Sequence, residues 1–546
     1  MINTRRVGRI SFNKLLERAK MSKFVFITGG VVSSLGKGLT SASIGLLLKS
    51  RGLRVEMLKM DPYLNVYPGK INPFEHGEVY LTEDGAETDL DLGHYERFVG
   101  QDLHQRNSVS AGRIYSGVFE AELQGKYRGA TVQVVPHVTN AIKERWKQLE
   151  RPDVDIIMVE LGGTIGDIEG LAFLEAMRQF QLERAPEDVA FVHMTLIPYL
   201  RASGEIKTKP TQHSVEKLRG IGIQPDVLIC RTVVPIEEEH RRKIALFCNV
   251  RPENVIEEQD VEYSIYQVPV MLMEEGVDRI LAKRLNLMLN EIDLTRWNEM
   301  LEKVRSSQDE VEIAVVGKYI SLTDSYKSIY EALTHAGIAN HVKIKLRKIE
   351  AEEVEEKGAE ACLKGAQGIL VPGGSGSRGV PGKMQAIQYA RERKIPFLGI
   401  CLGLQCAVSE FARNVCAIDG AGSEEWMEEG HEDPQKAVVI RGKNRRLGTY
   451  ACWVHEGTKA RDAYGAEMIR ERHSHYYEVN PLFVERLRNA GMIISGNNPD
   501  SDLVEMIELP DHPWFVATQA HPEFKSRPVE SHPLFREFVA AAKANK

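Results

Sequence analysis

Short, continuous apolar runs punctuate this chain, and helical stretches separate them. Phe24-Val-Phe-Ile-Thr, Arg54-Val-Glu-Met-Leu-Lys59-Met-Asp61 and Asp153-Val-Asp-Ile-Ile-Met-Val-Glu160 each predict a buried strand, as do 189–196 and 227–230. A helix is predicted from about Leu39 to Arg51. Strands alternating with helices predict a parallel, doubly wound sheet. A second series opens at Val311-Glu-Ile-Ala-Val-Val-Gly and continues through Ile395-Pro-Phe-Leu and Trp514-Phe-Val-Ala-Thr. Between the two series, from Leu281-Ala-Lys-Arg to about Glu310, the pattern becomes charged and amphipathic. The expected organisation is a disordered leader at 1–20, a first domain at 21–286, a linker at 287–310 and a second domain at 311–546. No internal repeat or low-complexity tract interrupts it.

Length supports this division, because 546 residues exceed one ordinary domain. Apolar residues make up 43% of the chain, enough for extended cores. A net charge of −7 argues against nucleic acid or an anionic membrane as the main partner. The seven cysteines are scattered, with neither a disulfide framework nor zinc-ligand spacing, which fits a reducing, cytoplasmic location. The leader carries six basic residues and one acidic residue but lacks the apolar core of a secretory signal. Met21 therefore reads as the natural start of the fold.

The densest chemistry surrounds Gly399-Ile400-Cys401-Leu402-Gly403. A strand enters this segment and a helix leaves it. A nucleophile on so sharp a turn needs small neighbours, and a helix N-terminus favours thiolate. His521-Pro522-Glu523 follows another strand-like run. Together Cys401, His521 and Glu523 offer a nucleophile, a base and a group that orients the base. In the first half, Gly29-Gly30-Val-Val-Ser33-Ser34-Leu35-Gly36-Lys37-Gly38 joins a strand to a helix, the arrangement of a phosphate-binding loop. Five residues separate Gly30 from Gly36, and Gly38 replaces the usual hydroxyl residue after the lysine. Glu160 ends a buried strand beside this loop, and the acidic stretch Glu83–Asp91 precedes His94, so both offer magnesium ligands. The loop Lys207-Thr208-Lys209-Pro-Thr-Gln212-His-Ser214 could grip a polyphosphate, or equally be a solvated basic loop.

Ile27–Gly38, Asp84–Arg97, Gly204–Ser214, Gly399–Gly403 and His521-Pro-Glu-Phe resemble the signatures of CTP synthase, a resemblance that runs from Met21 nearly to the end. It implies a P-loop-like, doubly wound parallel-sheet synthetase domain followed by a class I glutamine amidotransferase α/β domain. It further implies that ATP phosphorylates UTP at O4 and that ammonia, released from glutamine by Cys401, His521 and Glu523, displaces the phosphate to give CTP. By the same resemblance ATP meets Ser34, Leu35, Gly36, Lys37, Gly38, Lys59, Asp91, Arg231 and Asp260, while Asp91 and Glu160 hold Mg2+. UTP or the inhibitor CTP meets Ser33, Asp167, Ile168, Glu169, Lys207, Thr208, Lys209, Gln212 and Lys243. Glutamine meets Gly374, Leu402, Gln405 and Glu425, with the Gly374 and Leu402 amides as an oxyanion hole. GTP activation, a homotetramer and filaments complete the implied picture.

Four departures from the family pattern stand out. Tyr67 and Lys70 replace an acid and a threonine, Ser375 replaces an aromatic residue, and Tyr476 replaces an arginine that helps bind the glutamine carboxylate. The segment from Gln435 to Gly448 reads as shorter than the family's lid, which is linked to GTP. These changes imply weakened use of glutamine and a blunted GTP response. A cobyrinate-type amidotransferase shares the domain pairing, but Asp84–Arg97 and Lys207–Ser214 disfavour it. A filament protein with reduced activity is the alternative from another class.

Overall fold

The computed structural model describes residues 21–67, 69, 71, 77–322, 324–427 and 435–545. The leader 1–20 and Lys70 lie outside the described residues. Contacts divide the chain into two compact units, one of residues 1–70 and 94–295, the other of 71–93 and 296–546.

In the first unit the strands are β1 (Lys23–Gly29), β2 (Val55–Asp61), β3 (Ser108–Ser110), β4 (Ile156–Leu161), β5 (Val189–Leu196), β6 (Val227–Thr232) and β7 (Val255–Gln259). They form a seven-stranded parallel sheet in the order β7-β6-β5-β1-β4-β2-β3. Every residue of β2 and β4 is buried, as expected of strands covered on both faces. Helices α1 (Lys37–Ser50), α3 (Lys209–Gly220) and α4 (Glu238–Cys248) belong to this unit, and α2 (Asp91–Val99) spans the division. One core face gathers Phe24, Phe26, Trp146, Phe180 and Phe191, with the Phe26 and Trp146 rings 4.8 Å apart, edge to face.

The second unit contains β8 (Glu310–Gly317), β9 (Lys343–Glu350), β10 (Gly368–Val371), β11 (Phe397–Ile400), β12 (Gly422–Ser423), β13 (Ala437–Val454), β14 (Met468–Val479), β15 (Ile493–Asn497), β16 (Val504–Glu508) and β17 (Phe515–Thr518). The order is β9-β8-β10-β11-β17-β16-β15-β13-β12, with β14 paired to β13. The half from β9 to β17 is parallel, and antiparallel pairs extend it through β16, β15, β13 and β14. Helices α5 (Val380–Arg393) and α6 (Leu402–Asn414) pack on this sheet. The amphipathic segment before β8 forms a helix at Thr295–Ser306. Among the described residues no helix is long and apolar enough to cross a membrane.

Residues 77–93 belong by contacts with this second unit, although they lie in sequence within the first. A small hairpin, Tyr80–Leu81 with Glu87–Thr88, makes the attachment. Tyr80 Oη donates to the Phe524 carbonyl at 3.1 Å, and Thr449 N donates to the Glu83 carbonyl at 3.1 Å. Arg472, fully buried, donates to the Leu81 carbonyl at 2.8 Å and pairs with Glu83 at 3.3 Å.

Phe26→Ala should remove a ring from the middle of the first core and cost about 3–5 kcal/mol. Chemical denaturation of the full chain should show the loss as a lowered midpoint for the first unit, with the transition of the second unchanged.

Candidate active sites

In the first unit the glycine-rich loop expected to bind phosphate grows out of β1 and closes on α1. Lys37 is the first residue of α1 and is largely buried, with its Nζ donating to the Gly163 carbonyl at 2.8 Å. Gly30 admits no side chain, since a Cβ there would lie 1.7 Å from Ser214 Oγ. Beneath it, His193 joins Thr28 Oγ1 at 2.8 Å to Ser214 Oγ at 2.9 Å. Burial first, and then the Lys37 charge, push His193 down to about 3, so it is a neutral spacer. A small cleft beside the loop is lined by Thr28, Gly29, Gly162, Gly163 and Asp167 among others.

Adjacent parallel strands bring the next charges together. Lys59 on β2 and Glu160 on β4 are register partners, and Lys59 Nζ lies 3.0 Å from Glu160 Oε2 and 3.8 Å from Asp61 Oδ1. Tyr95 also donates to Glu160. Across the sheet, Arg231 pairs with Asp260 at 3.0 Å and donates to the Leu35 carbonyl at 2.8 Å. Thus Leu35, Lys37, Lys59, Glu160, Arg231 and Asp260 all stand on the loop or at strand ends in this unit. Asp91, the other expected magnesium ligand, opens α2 and is counted with the second unit.

The remaining nucleotide candidates are more dispersed. Ser33, Ser34, Asp167, Ile168 and Glu169 are exposed. Thr208 is the N-cap of α3, and Lys209 and Gln212 lie in its first turn. Lys207 pairs with Glu205 at 2.5 Å, and Lys243 lies on α4, which packs against α3.

The second unit carries the cysteine. Cys401 sits between β11 and α6 with φ 52° and ψ −104°, a strained conformation for a residue with a side chain. Its N–H donates to the Thr518 carbonyl at 2.7 Å, tying it to β17. Gly403 must be glycine, because a Cβ there would lie 2.2 Å from the Val371 carbonyl oxygen. Strand β17 runs beside β11 in parallel, with Ile400 opposite Thr518, and so delivers His521 three residues later to the same edge. His521 Nδ1 lies 2.7 Å from Glu523 Oε1, and its N–H donates to the Arg472 carbonyl at 2.7 Å. His521 Nε2 is buried with no hydrogen-bond partner. Burial opposes a charge on His521, but Glu523 and then Cys401 outweigh it and raise the imidazole well above its ordinary value. Gln519 Nε2 approaches Cys401 Sγ at 3.8 Å.

Glutamine's expected contacts surround this pair. The loop at Gly373–Gly376 borders both Cys401 and His521, since a Cβ on Gly373 would meet His521 Cε1 at 2.8 Å and Cys401 Cβ at 3.5 Å. Lys318 Nζ holds the loop through the Ser375 and Gly376 carbonyls at 2.6 and 2.8 Å. Glu425 accepts from Gly376 N–H at 2.8 Å, and Gln405 Nε2 donates to the Tyr477 carbonyl at 3.4 Å. The Leu402 amide lies at the start of α6, beside the sulfur.

Family models match both halves of the chain. The family described as CTP synthase N-terminus matches residues 23–287, and glutamine amidotransferase class-I matches 321–541. The CTP synthase of Caldanaerobacter subterraneus subsp. tengcongensis is 56% identical over 534 residues, covering 95% of this chain and 98% of its own. The CTP synthase of Desulfotalea psychrophila is 51% identical over 545 residues, covering 96% and 98%. The chain belongs to the CTP synthase family. The acivicin-bound glutaminase domain of Trypanosoma brucei CTPS is 38% identical, covering 43% of this chain and 94% of that one, with a TM-score of 0.40. As a CTP synthase, the chain is a ligase that aminates UTP to CTP with ATP, taking ammonia from glutamine.

Sequence reasoning did not single out several groups that lie beside the candidate residues. Tyr95 lies inside a quoted motif, but its contact with Glu160 depends on how α2 packs. Lys318, Lys383 and Gln519 have no local signature, because lysine and glutamine ordinarily read as surface residues.

Gly403→Ala should force the helix away from β10 and displace Cys401. Glutamine-dependent CTP synthesis should fall by at least about 100-fold, while ammonia-dependent synthesis stays within about twofold. Steady-state assays with each nitrogen donor check this.

Proposed function

We propose that the two reactions of this CTP synthase are divided between the units residue by residue as follows. In the first unit, Lys37 and Lys59 would neutralise charge on the phosphoryl group that ATP transfers to UTP. Ser34, Leu35, Gly36 and Gly38 would present backbone amides to the phosphates, and Arg231 with Asp260 would lie on the adenine side. Ser33, Asp167, Lys207, Lys209, Gln212 and Lys243 would serve the pyrimidine nucleotide. Mg2+ fits hard oxygen donors such as the buried Glu160 carboxylate, with Asp91 as the second proposed ligand. When bound, that ion would screen the phosphate charge. GTP activation, a homotetramer and a cytoplasmic location belong to the same proposal and rest on family membership.

In the second unit, the Cys401 sulfur would attack the glutamine side-chain carbonyl. The oxygen of the tetrahedral intermediate would accept from the Gly374 and Leu402 amides. His521, raised by Glu523, would donate its Nε2 proton to the departing nitrogen, and ammonia would leave. Water then attacks the thioester, with His521 taking its proton, and glutamate is released. The observation that carries this reading is the strained Cys401 together with His521, whose Nδ1 Glu523 holds at 2.7 Å and whose charge Glu523 and then Cys401 favour. Cys401→Ala should abolish glutamine-dependent CTP formation and spare the ammonia-dependent rate. Glu160→Ala should lower both by at least about 100-fold. A Cys401→Ala protein that loses both activities would overturn the division of labour.

Capture of the glutamine zwitterion needs a cation for its carboxylate. The arginines nearby are nearly all committed: Arg472 to Leu81 and Glu83, Arg446 to Glu505 and Glu478, and Arg445 to Glu87. Arg441 is the exception. Its guanidinium stacks over the Tyr476 ring at 5.4 Å, and it pairs in register with Tyr477, whose carbonyl meets Gln405. With Glu425 on the amino group, Arg441 would take the carboxylate. Arg441→Met should raise the glutamine KM about 10- to 100-fold, the equivalent of one charge-assisted contact. The ammonia-dependent rate should not change, and an unaltered glutamine KM would reject the assignment.

A further inference from the structure

Lys383 lies in the first turn of α5, which packs against α6. Its side chain is fully buried, and its Nζ has no hydrogen-bond partner. A Cβ on Gly374 would meet that Nζ at 3.6 Å, and one on the adjacent Gly373 would meet Cys401 Cβ at 3.5 Å, so the amine lies against the loop that borders Cys401 and His521. The charged and titratable groups that face it are Cys406 and Cys401 from α6 and its turn, Lys318 from the end of β8, and Glu425.

An ammonium ion removed from water costs several kcal/mol unless something balances it. Here no group balances it at hydrogen-bond distance. The glutaminase reaction creates negative charge nearby, first on the attacking sulfur and then on the carbonyl oxygen as the C–S bond forms. We infer that Lys383 is a positioning residue of the glutaminase, whose buried ammonium steadies the anionic sulfur of Cys401 and the Gly373–Gly376 loop behind it. The inference rests on the proposed role of Cys401. Lys383 acts through that loop and sulfur and touches no substrate.

Burial and the neighbouring Lys318 charge, only partly offset by Cys406, Cys401 and Glu425, lower the Lys383 amine from 10.5 to about 8. The charge is therefore present at neutral pH and is lost above about 8. The sign of the stability effect follows. Between about 8 and 10.5 the unfolded chain binds this proton and the folded chain does not, so stability rises with pH. At neutral pH the charged lysine destabilises the fold relative to an apolar residue of the same shape. A structural role and a role in reactivity therefore give opposite predictions.

Lys383→Met distinguishes them. At about pH 7 the variant should show at least a 10-fold lower glutamine-dependent rate and a similar fall in alkylation of Cys401 by iodoacetamide, followed by mass spectrometry of the Cys401 peptide. Near pH 10, where the wild-type amine is neutral, the two alkylation rates should converge. The ammonia-dependent rate should be unchanged, and the thermal midpoint should hold or rise. Unchanged alkylation at neutral pH would overturn the inference, as would a lowered thermal midpoint with loss of both activities. The Cys401→Ala protein separates the two levels: if it retains glutamine-dependent synthesis, the role of Cys401 fails first and independently of Lys383.

Discussion

The parallel pairing of β11 with β17 is the constraint on which the glutaminase site depends. One strand ends at Ile400 and the other at Thr518, directly opposite each other. Each then turns sharply, one into Cys401 and the other towards His521. The Cys401 N–H donates to the Thr518 carbonyl at 2.7 Å, which ties the first turn to the end of the second strand. Such a turn is tolerated only because its surroundings over-determine it. The Val371 carbonyl leaves no room for a side chain at Gly403, and Thr518 holds the cysteine backbone.

The synthetase unit uses the same device with different chemistry. Adjacent parallel strands β2 and β4 place Lys59 beside Glu160, both buried, at the edge where the phosphate loop also opens. A buried lysine and carboxylate are costly separately, but paired they keep both charges available. Their value is a fixed arrangement of charge at the strand ends, where an open α/β sheet ordinarily binds ligands. Asp61 and Tyr95 complete the set by contact with Lys59 and Glu160 respectively.

The hairpin at Tyr80–Thr88 shows how acidic residues can be structural. Its carboxylates fall in the stretch expected to offer magnesium ligands. Glu83 pairs with the buried Arg472, and Glu87 with Arg445, both on the β13–β14 ribbon. The Arg472 carbonyl in turn accepts the His521 N–H. An electrostatic clamp from one part of the sequence thereby braces the strand that orients the triad. This commitment of Arg472 and Arg445 leaves Arg441 free beside Tyr476.

Local sequence determined a great deal here. Apolar runs marked β1 and β4, because strands covered on both faces need no polar alternation, and β2 was marked by an apolar stretch ending in charge. Glycine placement marked both loops, because backbone close to a ligand or to another strand excludes a Cβ. Cys401, His521 and Glu523 were legible as candidates because strand, turn and spacing agreed around each of them, and β11 and β17 bring them to one edge. The chain alone did not determine which long-range partners its charges would find. Nothing near Arg441 in sequence distinguishes it from Arg445 or Arg446, and their separate fates follow from a bulge in the pairing of β13 with β14. Lys383 reads as an ordinary helical lysine, and only the packing of α5 against α6 removes it from water and leaves it without a partner. Local propensity sets which elements form, whereas desolvation and pairing depend on distances that exist only after those elements pack.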